Sequence, residues 1–101
     1  RPSWFDEAAE LIEQNDCSRL AAIAERVRLG RVHFTRAFAA HCGFLPSEYR
    51  ALRRLASAMR LISESSAPLA EVALACGYAH QSHMTNCFRA ILGDAPSHWR
   101  R

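Results

Sequence analysis

The chain has 101 residues, half of them hydrophobic, enough for one domain or two very small lobes around a modest core. It has no apolar run of about 18 residues, no leader pattern and no low-complexity tract, which argues against membrane insertion or export and points to the cytoplasm. The net charge of +3 conceals an asymmetry: residues 1–25 carry −4, residues 26–60 carry +7, and residues 61–101 are neutral.

All thirteen basic residues are Arg. Arg offers a planar, permanently charged fork that suits phosphates and guanine edges, although a basic stretch alone equally describes a solvated surface. The cysteines Cys17, Cys42, Cys76 and Cys87 form no C-x-x-C pair and read as reduced thiols.

In chain order, Ser3 and Asp6 make a capping-box-like start for a helix running to about Asn15–Asp16, with Trp4, Ala8, Leu11 and Ile12 inward. Ser18 can open a second helix that buries Leu20, Ile23, Ala24 and Val27 and breaks at Arg28–Gly30. A third, RVHFTRAFAAHC, places Phe34, Ala37, Phe38 and His41 inward and stops at Gly43. Pro46 then starts a long helix reaching about Glu64. Pro68 starts PLAEVALAC, with Leu69, Val72, Ala73 and Cys76 on one face, and Gly77–Tyr78–Ala79 break it. QSHMTNCFRAIL follows with Met84, Cys87, Phe88 and Ile91 inward, Gly93 stops it, and Pro96 begins a last short turn. No alternating strand pattern occurs. The reading is all-α, with about seven helices.

The chain also repeats itself. GFLPSEYR at 43–50 returns as GDAPSHWR at 93–100, and Phe34/Met84, Thr35/Thr85 and Phe38/Phe88 share that offset of 50. Leu20, Ala21, Ile23 and Ala24 match Leu69, Ala70, Val72 and Ala73 at an offset of 49, so the second turn has gained one residue. Each copy is a short helix, a tight turn and a second helix, the pattern of a helix-turn-helix. The expected division is a first helix-turn-helix subdomain at 1–45, a connecting helix at 46–65 and a second subdomain at 66–101.

In such a unit the second helix enters the major groove and its N-terminal residues meet the bases. The outward positions are Arg31, Val32, Thr35 and Arg36 in the first copy, and Gln81, Ser82, Thr85 and Asn86 in the second. Arg forks onto guanine, Asn and Gln pair with adenine, and Val can meet a thymine methyl. Arg50, Arg53, Arg54, Arg89 and Arg100 are candidate phosphate contacts, which position without specifying sequence. A connecting helix of this length spans about 28 Å, close to the roughly 34 Å between successive major grooves on one face of DNA.

The stretches LAAIAERVRLGRVHFTRAFAAHCGFLPSEYR and PLAEVALACGYAHQSHMTNCFRAILGDAPSHWR resemble the two helix-turn-helix signatures of the AraC/XylS family of bacterial transcription regulators. The resemblance covers Ser18 to Arg100. It implies two lobes joined by a long helix, binding to double-stranded promoter DNA in the bacterial nucleoid, and activation through RNA polymerase. Effector sensing would belong to a separate domain, making this chain a C-terminal piece. The sequence departs from the family pattern in five places. Arg28 stands where Gly is common, and a left-handed residue there costs energy. Gly30 stands in place of a capping Ser, and Leu45 and Ala95 precede the prolines without a hydroxyl. Asn86 replaces an Arg.

Three rivals were weighed. Cys76, His80, His83 and Cys87 have spacings that could gather a zinc ion, but both cysteines fall on apolar faces and no metal or other cofactor is expected. No catalytic triad, phosphate-cradling loop or paired carboxylate can be placed, so an enzyme is not expected. The third rival is an Arg-rich helical adaptor that meets an acidic protein.

Overall fold

The apolar spacing noted above resolves into helices α1 (Ser3–Glu13), α2 (Leu20–Arg26), α3 (Arg31–Cys42), α4 (Pro46–Glu64), α5 (Leu69–Ala75) and α6 (Gln81–Leu92). A 3₁₀ turn, Pro96–Trp99, follows. The computed structural model describes residues 3–13 and 19–100, and no strand occurs among them. No described helix is long and apolar enough to cross a membrane.

The chain divides into two units, Arg1–Arg50 and Ala51–Arg101, and each has its own core. In the first, Phe5, Ile12, Ile23, Phe34 and Phe38 are buried together, with Trp4, Leu20, Leu29 and Tyr49 half-buried around them. In the second, Leu55, Ile62, Val72, Cys76, Tyr78, Met84 and Phe88 form the cluster, flanked by Leu69, Cys87 and Trp99. Burying each such large apolar side chain contributes on the order of 1.5–3 kcal/mol.

The helix boundaries follow local chemistry. Gly43 and Gly93 end α3 and α6 in the left-handed conformation, at φ 86° and 88°, where a glycine has no Cβ to clash. Pro46 is the first residue of α4, where a missing N–H costs nothing. Leu45 lacks a capping side chain, but its N–H donates to Glu48 Oε1 at 2.8 Å. This is the Glu half of a capping box; the hydroxyl that would accept from the other side is still lacking at Leu45.

The two tight turns are built alike. After α2, Leu29 N–H donates to Ala24 O and Arg28 N–H to Glu25 O. After α5, Tyr78 N–H donates to Ala73 O and Gly77 N–H to Leu74 O. Both are Schellman closures, which need a left-handed residue just past the helix. Gly77 takes that position at φ 89°, and Arg28 takes it at φ 61°, the one positive φ at a non-glycine among the described residues. The turn geometry is therefore retained in the first copy at the expense of backbone strain. Arg28→Gly is expected to raise the stability of the first unit by roughly 1 kcal/mol, read as a higher urea midpoint; an unchanged or lower midpoint would show that the Arg side chain offsets the strain.

Several expectations are corrected. Phe5, which was not among the expected inward residues, is buried 4.9 Å from Phe38, and Trp4 packs half-buried on the same core, 6.1 Å from Phe34. His41 is exposed rather than inward, with its ring resting on Phe5 at 4.6 Å. Ile91 is 46% exposed; like His41, it lies about one turn beyond the last buried aromatic of its helix. Ser3 is already helical rather than capping, and Pro68 caps α5 rather than opening it. The expected helix end at Asn15–Asp16 and the start at Ser18 lie outside the described residues.

Candidate nucleic-acid interface

In each unit a buried pair of large apolar side chains fixes which side of the second helix faces outward. Phe34 and Phe38 are buried in α3, and Met84 and Phe88 in α6. Residues that alternate with them at helical spacing must therefore face away from the core. Arg31, Val32 and Arg36 are exposed in the first unit, and Gln81, Ser82 and Asn86 in the second; Thr35 and Thr85 are half-buried. Val32 is 64% exposed, an apolar side chain offered to solvent amid two arginines. Thr35 Oγ1 donates to Arg31 O at 2.9 Å, so its hydroxyl hydrogen is spent within the helix.

The starts of the two helices differ. Gly30 caps α3 with no side-chain hydrogen bond. His80 caps α6: its Nδ1 accepts from His83 N at 3.1 Å and lies 2.7 Å from Ser82 Oγ. His83 Nδ1 in turn accepts from Ala79 N at 3.1 Å, and the Tyr78 ring stands edge-on to His83 at 5.2 Å. The result is a closure akin to a capping box, with imidazoles in place of Ser and Glu, except that His83 reaches back to the N–H of Ala79, one residue before the cap. Sequence reasoning missed it because His is not a usual cap; its only signal was the His-x-x-His spacing before an apolar run.

The same contacts bear on the zinc constellation. Cys76 is buried in the second core, and burial pushes its thiol above the usual range, with Arg60 opposing. Among the described residues no three His, Cys, Asp or Glu side chains are grouped to hold a metal ion.

The candidate phosphate contacts are distributed over both units. Arg53 and Arg89 are exposed, whereas Arg50, Arg54 and Arg100 are half-buried. The Tyr78 hydroxyl is buried and finds no hydrogen-bond partner among the described residues. Burial drives its pKa strongly upward, with Cys87 and Cys76 adding to the shift and Arg54 opposing it. Arg54 thus lies near the turn that precedes α6. Arg100 follows Trp99, whose ring packs 6.0 Å from Phe88, so the end of the 3₁₀ turn is tied to the core beneath α6.

Known proteins share this organisation. A family model described as a helix-turn-helix domain matches residues 23–101. The chain is 31% identical over 81 residues to "Probable transcriptional regulator LumQ" of Photobacterium leiognathi, covering 80% of this chain and 33% of that protein. It is 32% identical over 92 residues to the HTH-type transcriptional regulator GlxA of Rhizobium meliloti, covering 89% of this chain and 26% of that protein. The chain thus spans about a third or less of the curated relatives it matches. The DNA-binding domain of the global transcriptional factor AdpA, solved in complex with a target DNA, superposes with a TM-score of 0.91 at 25% identity, covering 98% of this chain and 91% of that one.

Proposed function

Because the chain belongs to the AraC/XylS-type helix-turn-helix family of transcription-regulator DNA-binding domains, we propose that it reads two adjacent major grooves, one with α3 and one with α6. Arg31, Val32, Thr35 and Arg36 meet bases in the first groove; Gln81, Ser82, Thr85 and Asn86 meet them in the second. Arg50, Arg53, Arg54, Arg89 and Arg100 hold phosphates on either side. In this reading residues 1–45 and 66–101 are the two reading subdomains and residues 46–65 connect them.

The observation that carries the proposal is the coincidence of exposure with the repeat. At an offset of 50, Arg31/Gln81, Val32/Ser82 and Arg36/Asn86 are all exposed, while Phe34/Met84 and Phe38/Phe88 are all buried. An adaptor that met an acidic protein through charge alone would need the arginines of α3 but not a matching set of Gln, Ser and Asn on α6. In the whole protein, effector sensing belongs to a separate domain, activation proceeds through contact with RNA polymerase, and the work is done in the bacterial cytoplasm without catalysis.

The test is selection of bound sequences from a random duplex pool. Two preferred blocks centred about 10 base pairs apart are expected. A single block would restrict base reading to one helix, and no preference at all would favour the adaptor. Within the selected site, Arg53→Ala is expected to weaken binding to every sequence alike and to lower the salt slope by about one; a loss confined to the preferred sequence would make Arg53 a reader.

A further inference from the structure

We infer that His80 determines specificity at the second reading helix: it engages the Ser82 hydroxyl hydrogen and so presents Ser82 to DNA as a hydrogen-bond acceptor only. The inference rests on Ser82 meeting a base edge, as proposed above.

The argument runs on proton accounting at one nitrogen. A backbone N–H can only donate, and His83 N–H donates to His80 Nδ1 at 3.1 Å. That nitrogen therefore carries no proton, and the neutral ring holds its hydrogen on Nε2. The Ser82 oxygen lies 2.7 Å from the same nitrogen. With Nδ1 acting as acceptor, Ser82 must be the donor. A hydroxyl has one hydrogen and two lone pairs, so what remains for a DNA partner is the lone pairs.

Major-groove edges divide cleanly on this point. The amino groups of cytosine and adenine donate, whereas guanine O6 and N7 and thymine O4 accept. A serine held as an acceptor favours cytosine or adenine and sets lone pair against lone pair at the other two. Unrestrained, Ser can suit either class. The His80 ring stands edge-on to His83 at 6.1 Å, and His83 is itself fixed by the Ala79 N–H on its Nδ1 and by Tyr78. The first copy has no counterpart, because Gly30 and Val32 occupy the places of His80 and Ser82.

The experiment selects sites from a random duplex pool with wild type, His80→Gly, His80→Asn and Ser82→Ala. Gly is an accepted cap and fills the equivalent position in the first copy, so His80→Gly frees Ser82 without removing the helix start. Wild type is expected to enrich cytosine or adenine at one position of the second block. His80→Gly should lower that enrichment about tenfold at that position alone. His80→Asn, whose side-chain oxygen can take both donors, should restore it, and Ser82→Ala should abolish it. The inference is overturned if His80→Gly leaves that position unchanged or weakens every position of the block alike, if His80→Asn fails to restore the preference, or if the preference survives Ser82→Ala. Should wild type select only a block that Arg36→Ala erases, the reading of α6 itself fails, a result separable from the others.

Discussion

Truncating Phe38 to alanine is expected to destabilise the first unit by about 3–5 kcal/mol, the usual range for emptying a large aromatic site in a core. Phe38 is fully buried, with ring centroids of Phe5 at 4.9 Å, Tyr49 at 5.4 Å and Phe34 at 5.8 Å. It touches one residue from each of α1 and α4 and its own neighbour one turn back, so no small side-chain movement refills the space. Domains of this size have little stability in reserve, and the loss is enough to unfold the unit. The second core shares none of those residues. Amide signals followed through a urea titration should therefore show residues 3–50 lost early and residues of the Met84–Phe88 cluster retained. Simultaneous loss of both sets would mean that the two cores fold as one.

Much of this organisation was legible because the signals were local and repeated. Gly43 and Gly93 stop their helices by the left-handed backbone they adopt, and Pro46 starts one by its fixed φ. Phe34, Phe38, Met84 and Phe88 are buried as their spacing requires. Arg28 is left-handed, as the Gly common at that position in the family implied. What escaped depended on distance from the core or on unusual chemistry. His41 and Ile91 keep the inward spacing yet stay exposed: His41 rests on Phe5 at the edge of the first core without being covered, and Ile91 is left 46% exposed. Trp4 and Phe5 are adjacent on one helix, and spacing alone could not decide which is buried deeper. The Glu48 cap of Leu45 and the His80–His83 closure needed side-chain geometry, since one acts backward along the chain and the other uses a residue that rarely caps.

Arg36→Ala is expected to cost on the order of 1–3 kcal/mol on the preferred DNA and to relax specificity at one position of one block. Asn86→Ala should do the same in the other block. The two residues occupy equivalent exposed places in α3 and α6, but their chemistry differs. An Arg fork gains both from guanine acceptors and from the surrounding phosphate field, whereas Asn depends on hydrogen-bond geometry to adenine alone. The Arg36 change should therefore also make binding less sensitive to salt, and the Asn86 change should leave the salt dependence as it was. Affinities measured on the selected duplex and on duplexes altered block by block would check both. An equal loss on every duplex would assign Arg36 to phosphate rather than to base.

The most direct test of reading by both copies is a titration of ¹⁵N-labelled protein with the selected duplex, following each backbone amide. Large shifts are predicted in two separate clusters, at residues 31–36 of α3 and at 81–86 of α6, both saturating at one duplex per chain. Shifts confined to one of these helices, or centred elsewhere on the protein, would contradict it.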